Sequence, residues 1–155
     1  YHVPTLIHVA ETESENATAK ERGATSVVSY LDGLGVLGPG VVAAHAVWTD
    51  AADIALLKMR GVGVSHNPES NMKLSSGVAP VRGYLGAGVA LGLGTDGAAS
   101  NNTLDMFEAM RQASFLAKLS TSSPTASPAR STEPRVTAAR STASASIWSI
   151  SCWPS

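Results

Sequence analysis

The segment Val89-Ala90-Leu91-Gly92-Leu93-Gly94-Thr95-Asp96 decides our interpretation of the fold. It is a run of apolar and small residues that ends at a carboxylate, and this pattern predicts a strand. Alternate strand residues point to opposite faces, so Leu91 and Leu93 share a face that can pack on helices. The other face has only small residues before its carboxylate: Ala90, Gly92, Gly94 and Asp96. Two interpretations stay open for it: a cavity for an ion or substrate, or a tight core with Asp96 capping the next helix.

Three earlier segments repeat the order of strand and then helix. Strands are expected at 6–9, 41–47 and 62–66. Helix signals follow them: a capping box from Thr12 to Glu15, a Thr49-Asp50 cap before a helix that stops at Gly61, and a helix from Val78 to Leu85. A fourth helix should start after Asn101-Asn102-Thr103, with apolar residues at helical spacing: Leu104, Phe107, Met110, Ala113 and Leu116. Four such units in series predict an α/β fold with a parallel sheet.

The overall composition excludes several classes of protein. The chain has 155 residues, with 11 Lys and Arg against 12 Asp and Glu, so it has no basic surface for a nucleic acid. No apolar run approaches the roughly 20 residues that span a bilayer, and no signal-like stretch opens the chain, so no membrane association is expected. The single cysteine, Cys152, excludes an internal disulfide and fits a reducing, cytoplasmic compartment.

The composition changes sharply at residue 120. Residues 1–119 hold every Gly and Leu of the chain, and residues 120–155 are rich in Ser, Thr, Ala, Pro and Arg. Such a tail buries too little apolar area to offset its conformational entropy, so we expect disorder. Two origins are open: a frameshift near Ser120, or a natural Ser/Pro/Ala linker. Sequencing the gene would distinguish them.

Polar residues stand at or beside the end of each predicted strand: His8, His45, His66 and Asp96. The carboxyl ends of parallel strands are where α/β enzymes place their chemistry. We therefore expect His8 and Asp96 to converge. Imidazole and carboxylate ligands suit a divalent ion such as zinc, which lowers the pKa of its bound water to about 7.

Glu11 joins this group only if the chain turns. A continuing strand would aim His8 and Glu11 at opposite faces, so the chain must leave the strand near Ala10 if both serve one site. The alternatives are ordinary: Glu11 as an acid in the first turn of a helix, and His8 as a hydrogen-bonded core histidine.

Four runs resemble the amidohydrolase superfamily, and within it the 5-methylthioadenosine/S-adenosylhomocysteine deaminases. They are His8-Val9-Ala10-Glu11-Thr12, Ala43-Ala44-His45, the run from Ser65 to Leu74, and the run from Gly92 to Asn102. The match covers residues 1 to about 119 in collinear order. The resemblance implies a partial (β/α)8 barrel of TIM type, comprising about strands 5 to 8.

The resemblance also implies roles for individual residues. His8 and Asp96 would bind the metal, zinc in preference to iron, and Asp96 would accept a proton from the metal-bound water that attacks the purine. Glu11 would move protons to the ring nitrogen and the leaving group. His45 would hydrogen-bond the attacking hydroxide. Residues near the substrate would be Ser100, His66, Asn67 and Asn71.

One departure from the family pattern limits this interpretation. The first strand of the family carries a His-x-His metal pair that this sequence lacks, so the chain resembles half a barrel. We expect the chain alone to be nearly inactive and its open sheet edges to favour self-association. Three alternatives remain: a non-catalytic fragment that complements another chain, a guanine, 8-oxoguanine or triazine hydrolase, and a phosphate cradle at Gly92 to Gly97. The last is weak, since the spacing is not GxGxxG and no Lys follows.

Overall fold

The computed structural model describes residues 3–126, 135–137 and 148–151. Its strands are β1 (Thr5–Val9), β2 (Val41–His45), β3 (Gly63–His66), β4 (Leu91–Leu93), β5 (Arg135–Thr137) and β6 (Trp148–Ser151). Its helices are α1 (Glu13–Glu21), α2 (Val27–Gly33), α3 (Ala51–Arg60), α4 (Pro68–Lys73), α5 (Val81–Ala87) and α6 (Met106–Thr121).

The first four strands form the parallel sheet that the sequence predicts. They are neighbours in chain order, with His8 opposite Ala44, Ala44 opposite Ser65, and Ser65 opposite Gly92. All four strands therefore end at the same edge of the sheet. The prediction of an α/β fold with a parallel sheet is confirmed.

Local capping signals locate several helix ends correctly. Thr12 and Glu15 form the capping box that begins α1. Asp50 accepts hydrogen bonds from the N–H groups of Ala52 and Asp53, and Gly61 ends α3 with a φ of 69°, a left-handed conformation that costs glycine little. These ends depend on a few neighbouring residues, and this is why the sequence predicts them.

The helix after β4 differs from its prediction in two ways. Its N-cap is Asp105, whose carboxylate accepts from the N–H groups of Phe107 and Glu108, so it starts later than the Asn101-Asn102-Thr103 signal. The predicted apolar face is also only partly right. Leu104, Phe107 and Met110 are exposed, whereas the buried residues of α6 are Ala109, Ala113, Leu116 and Ala117.

The two faces of the parallel sheet have different surroundings. The outer face packs on the helices, and its side chains Val9, Ala43, Val64 and Leu91 join a core that includes Leu57 and Tyr84. The inner face has Leu6, His8, Val42, Ala44, Gly63, Ser65 and Gly92 at paired positions. Leu6 on that face is 46% exposed. The hydrophobic core therefore lies between the sheet and the helices.

The region after residue 119 is described only in part. Helix α6 ends at Thr121, and strands β6 and β5 add antiparallel neighbours beside β4. Seven residues of the predicted tail are thus in strands. Residues 127–134, 138–147 and 152–155 lie outside the described residues, as does Cys152. The expectation of disorder and the two proposed origins of the tail stay predictions.

Within the described ranges, we find no helix that combines the length and the apolar character needed to cross a bilayer.

Candidate active site

Four predicted site residues converge at the carboxyl ends of the parallel strands. His8 Nε2 lies 4.0 Å from Asp96 Oδ1, and His45 Nε2 lies 3.9 Å from Asp96 Oδ2. His45 Nε2 is also 3.7 Å from Glu11 Oε2. The His8 and His45 rings meet edge to face, with 4.9 Å between their centroids. The expected convergence of His8 and Asp96 is therefore observed, and Glu11 and His45 share the same point.

Left-handed backbone conformations at the strand ends produce this convergence. Ala10 directly follows β1 with a φ of 51°, so the chain turns where the sequence analysis requires it to turn for His8 and Glu11 to share one site. His45 has a φ of 69° and Asp96 a φ of 62°. Such angles are uncommon for residues other than glycine, and they occur preferentially at functional sites.

The segment formed by α4 and the loop after it (residues 68–80) donates one hydrogen bond to each of the two carboxylates of the site. Ser70 donates its hydroxyl to Asp96 Oδ2 at 2.7 Å. Ser76 donates its hydroxyl to Glu11 Oε1 at 3.3 Å. Sequence reasoning missed both serines because α4 was not predicted, although Pro68 at the first turn was an available signal for a helix start.

Asp96 is held as a carboxylate by its neighbours. Burial acts to raise its pKa, but hydrogen bonds from Ser100, Ser70 and the Gly97 N–H outweigh burial, and a favourable interaction with His45 adds to them. The net effect is a lowered pKa. A group that stays ionised and keeps one oxygen toward the histidines is suited to bind a cation or accept a proton.

The polar residues predicted to lie near the substrate are mostly occupied elsewhere. Ser100 donates to Asp96 Oδ2 at 2.5 Å. Asn67 is buried and accepts from the Ser65 hydroxyl at 3.0 Å. Asn71 is fully buried, with Oδ1 2.8 Å from His45 Nδ1. These contacts hold the site together, and a direct role in substrate binding stays a prediction.

His66 lies apart from the other site residues. It shares the outer face of β3 with Val64, and its side chain lines a cavity of about 250 Å³ between α5 and α6. Burial, and to a smaller extent the charge of His45, lower the pKa of His66 to about 4. A role of His66 near the substrate therefore stays a prediction, with shaping of the strand–helix turn as its alternative.

The donor atoms of the cluster fit a divalent cation. In the described part of the chain, His45 Nε2 is buried without a hydrogen-bond partner and faces two carboxylate oxygens at distances too long for hydrogen bonds. Donor atoms of His8, Glu11 and His45 lie within 4.8 Å of one another. Imidazole nitrogens and carboxylate oxygens around a shared gap are ligands that zinc accepts.

Comparisons with known proteins identify the family. The chain is 57% identical over 124 residues to 5'-deoxyadenosine deaminase of Methanosarcina mazei, covering 80% of this chain and 29% of that protein. It is 56% identical over 122 residues to 5-methylthioadenosine/S-adenosylhomocysteine deaminase of Pelotomaculum thermopropionicum, covering 79% of this chain and 28% of that protein. The chain thus spans less than a third of the length of these relatives.

The fold agrees with a solved structure of the same superfamily. An adenosine deaminase from Xanthomonas campestris with bound zinc superposes with a TM-score of 0.75 and 41% identity, covering 79% of this chain and 28% of that chain. Its barrel is incomplete in this chain, and which four strands are present stays a prediction. The family model for the amidohydrolase family matches residues 1–142. The chain therefore belongs to the amidohydrolase family.

Proposed function

We propose that this chain carries part of the active site of a metal-dependent hydrolase that deaminates an adenosine-type purine nucleoside. The observation that carries the proposal is the convergence of His8, Glu11, His45 and Asp96 at one edge of the parallel sheet. The activities of the similar deaminases support the reaction and the substrate class.

His8 and Asp96 would hold the metal, zinc in preference to iron. When bound, a divalent ion would lower the pKa of a coordinated water and so supply a nucleophile at neutral pH. The zinc in the similar adenosine deaminase supports this choice of metal.

The remaining residues of the site would move and hold protons. Asp96, with its lowered pKa, would accept a proton from the attacking water. Glu11, which has one oxygen on Ser76 and the other toward the cluster, would deliver protons to the ring nitrogen and to the departing amino group. His45, which is fully buried, would orient the attacking oxygen through Nε2. The reaction consumes water and releases ammonia.

The site within the described residues has fewer ligands than a catalytic zinc site usually has. Such sites typically have three protein ligands, and we assign two here, His8 and Asp96. The His8 side chain is 64% exposed, so the β1 side of the cluster is open. We infer that a further ligand comes from outside the described residues, and we expect the 155-residue chain alone to bind zinc weakly and release little ammonia.

A half-site that completes itself with a complementary chain is the second candidate. The open inner face of the sheet and the exposed His8 favour it. Co-expression with a chain that carries a His-x-His pair should then restore tight zinc binding. If co-expression leaves zinc affinity unchanged, complementation is wrong.

Zinc binding with site variants tests the proposed function. Equilibrium dialysis of the metal-free chain should show zinc binding that Asp96→Asn and His8→Gln each reduce at least tenfold. Glu13→Gln removes an exposed acid close to Glu11 in sequence and should leave binding unchanged. Equal binding by all variants, or no binding by the folded wild-type chain, would contradict the metal site.

The substrate class is tested on the complemented protein. Ammonia release should be fastest with 5-methylthioadenosine, S-adenosylhomocysteine or 5'-deoxyadenosine. Faster release from guanine, 8-oxoguanine or a triazine would overturn the purine nucleoside assignment and leave the zinc site intact.

A further inference from the structure

The contact between Asn71 and His45 determines which ring nitrogen of His45 carries the proton. Asn71 Oδ1 lies 2.8 Å from His45 Nδ1, and both side chains are fully buried. A carbonyl oxygen only accepts hydrogen bonds, so Nδ1 must carry the proton and donate it. In a neutral imidazole, Nε2 then has the lone pair.

The surroundings of Nε2 agree with this tautomer. Nε2 lies 3.7 Å from Glu11 Oε2 and 3.9 Å from Asp96 Oδ2. A protonated Nε2 would donate a hydrogen bond to one of these carboxylates and approach it within about 3.2 Å. The observed distances are longer. It has no hydrogen-bond partner among the described residues. The buried lone pair is therefore directed into the gap where the four site residues meet.

Asn71 is itself held in place from both sides. It lies in α4, where its N–H donates to the carbonyl of Asn67 at 3.0 Å, and its own carbonyl accepts from the Ser76 N–H at 2.8 Å. The preceding residue, Ser70, donates to Asp96. These bonds fix the Asn71 backbone, and the fully buried side chain has little freedom to lose when it orients His45, which is how a supporting residue preorganises a site.

We propose that Asn71 is a positioning residue that fixes His45 as the Nδ1–H tautomer and so presents an unprotonated Nε2 to the reacting water. The tautomer itself follows from the contact, whereas the use of Nε2 rests on the proposed function. The family resemblance predicts Asn71 near the substrate, but its carbonyl oxygen is already engaged by His45.

Nitrogen-15 NMR of the full 155-residue chain, labelled at its histidines, tests the proposal. At about pH 8, His45 should show a pyrrole-type Nδ1 and a pyridine-type Nε2. The Nδ1 proton should show nuclear Overhauser contacts to the Asn71 β protons. The reverse assignment of the two nitrogens in the wild-type chain would overturn the proposal.

Variants at residue 71 separate positioning from simple structural support. Asn71→Leu has similar size but no acceptor, so the pyridine-type signal should move from Nε2 toward Nδ1. Asn71→Asp keeps an acceptor, so it should keep the wild-type pattern with the Nδ1 proton shifted downfield. Asn102→Leu is the matched control, since Asn102 is exposed, accepts a hydrogen bond from Lys73 and should leave the pattern unchanged.

The outcomes remain decisive if one variant fails to fold. An unchanged His45 pattern in folded Asn71→Leu, or an unshifted Nδ1 proton in folded Asn71→Asp, would each overturn the role of Asn71. If neither variant folds, the wild-type nitrogen assignment and the contacts to Asn71 decide alone. Zinc titration of the wild-type sample is scored separately. If the wild-type chain has the expected tautomer but binds no zinc, the result contradicts the proposed function and leaves the role of Asn71 intact.

Discussion

The outer face of the parallel sheet packs into the hydrophobic core, whereas the inner face leads to the candidate site. The outer face has branched apolar side chains packed on helices, and Leu91 is 5% exposed there. The inner face has small residues at Gly63, Ser65 and Gly92, and it leads to the site. Small residues bury little apolar area, so this part of the inner face contributes less to stability than the outer face.

The same contrast separates the two histidines of the cluster. His45 is fully buried and hydrogen-bonded to Asn71, whereas the His8 side chain is 64% exposed. Residues 68–80 therefore contact Glu11, His45 and Asp96, and His8 is the exposed member of the cluster. We expect mutations on the outer and inner faces of the sheet to change the free energy of unfolding by different amounts.

Truncating one leucine on each face should give the largest difference in the free energy of unfolding. Leu91→Ala on the outer face should lower the free energy of unfolding by about 3 kcal/mol, because it leaves a cavity in the core. Leu6→Ala, on the inner face and 46% exposed, is the matched control and should cost under about 1 kcal/mol. Urea unfolding measures both. Equal losses would show that the inner face is covered in solution, for example by self-association.

The buried histidine of the outer face should make stability depend on pH. In the unfolded chain, His66 becomes protonated below about pH 6.5. In the folded chain, His66 stays neutral until about pH 4. The free energy of unfolding should therefore fall by about 2 kcal/mol as the pH is lowered from roughly pH 7 to pH 5. Above about pH 7, His66 is neutral in both states and does not change it.

The variant His66→Gln provides the control for this pH effect. Glutamine does not titrate, so the dependence of its unfolding free energy on pH should be weaker by the same amount. If wild type and His66→Gln respond identically to pH, then His66 is not buried in neutral form.

Glycines on the inner face should differ according to the space around them. A Cβ added at Gly94 would overlap Asn67 Oδ1 and the Ser65 hydroxyl, so Gly94→Ala should cost about 1.5 kcal/mol. At Gly63 the nearest atoms are 3.8 Å away, so Gly63→Ala should change stability by less than about 0.5 kcal/mol. Thermal unfolding of the two variants measures the difference. Similar midpoints would mean that the Ser65 and Asn67 side chains yield freely.

Elements with a clear local signal were predicted, including the short strands β3 and β4 and the helix α5, whereas two short helices were missed. The strand at β2 and the caps of α3 are encoded within a few residues of where they act. The helices α2 and α4 have seven and six residues, too few for a clear periodic pattern. Phe107 has helical spacing but is 79% exposed, because periodicity identifies a helix and does not say what covers its face.

For the site, the residue types and their order along the chain were predictable from the sequence, and their partners were not. Polar residues at strand ends predicted the convergence of His8 and Asp96. Ser76 and Glu11 are 65 positions apart, and Asn71 and His45 are 26 apart. No local pattern relates residues at such separations, so only packing could show that these pairs meet.

The sequence by itself determined the four parallel strands in chain order, the caps of α1 and α3 and the polar residues at one sheet edge, since each depends on neighbours along the chain. The tertiary structure alone decided that β4 ends at Leu93 and that Asp96 reaches the cluster through a left-handed turn. It also placed His66 behind the sheet and Asn71 against His45. The physical reason is that side-chain direction and hydrogen-bond partners depend on how separate elements pack against one another.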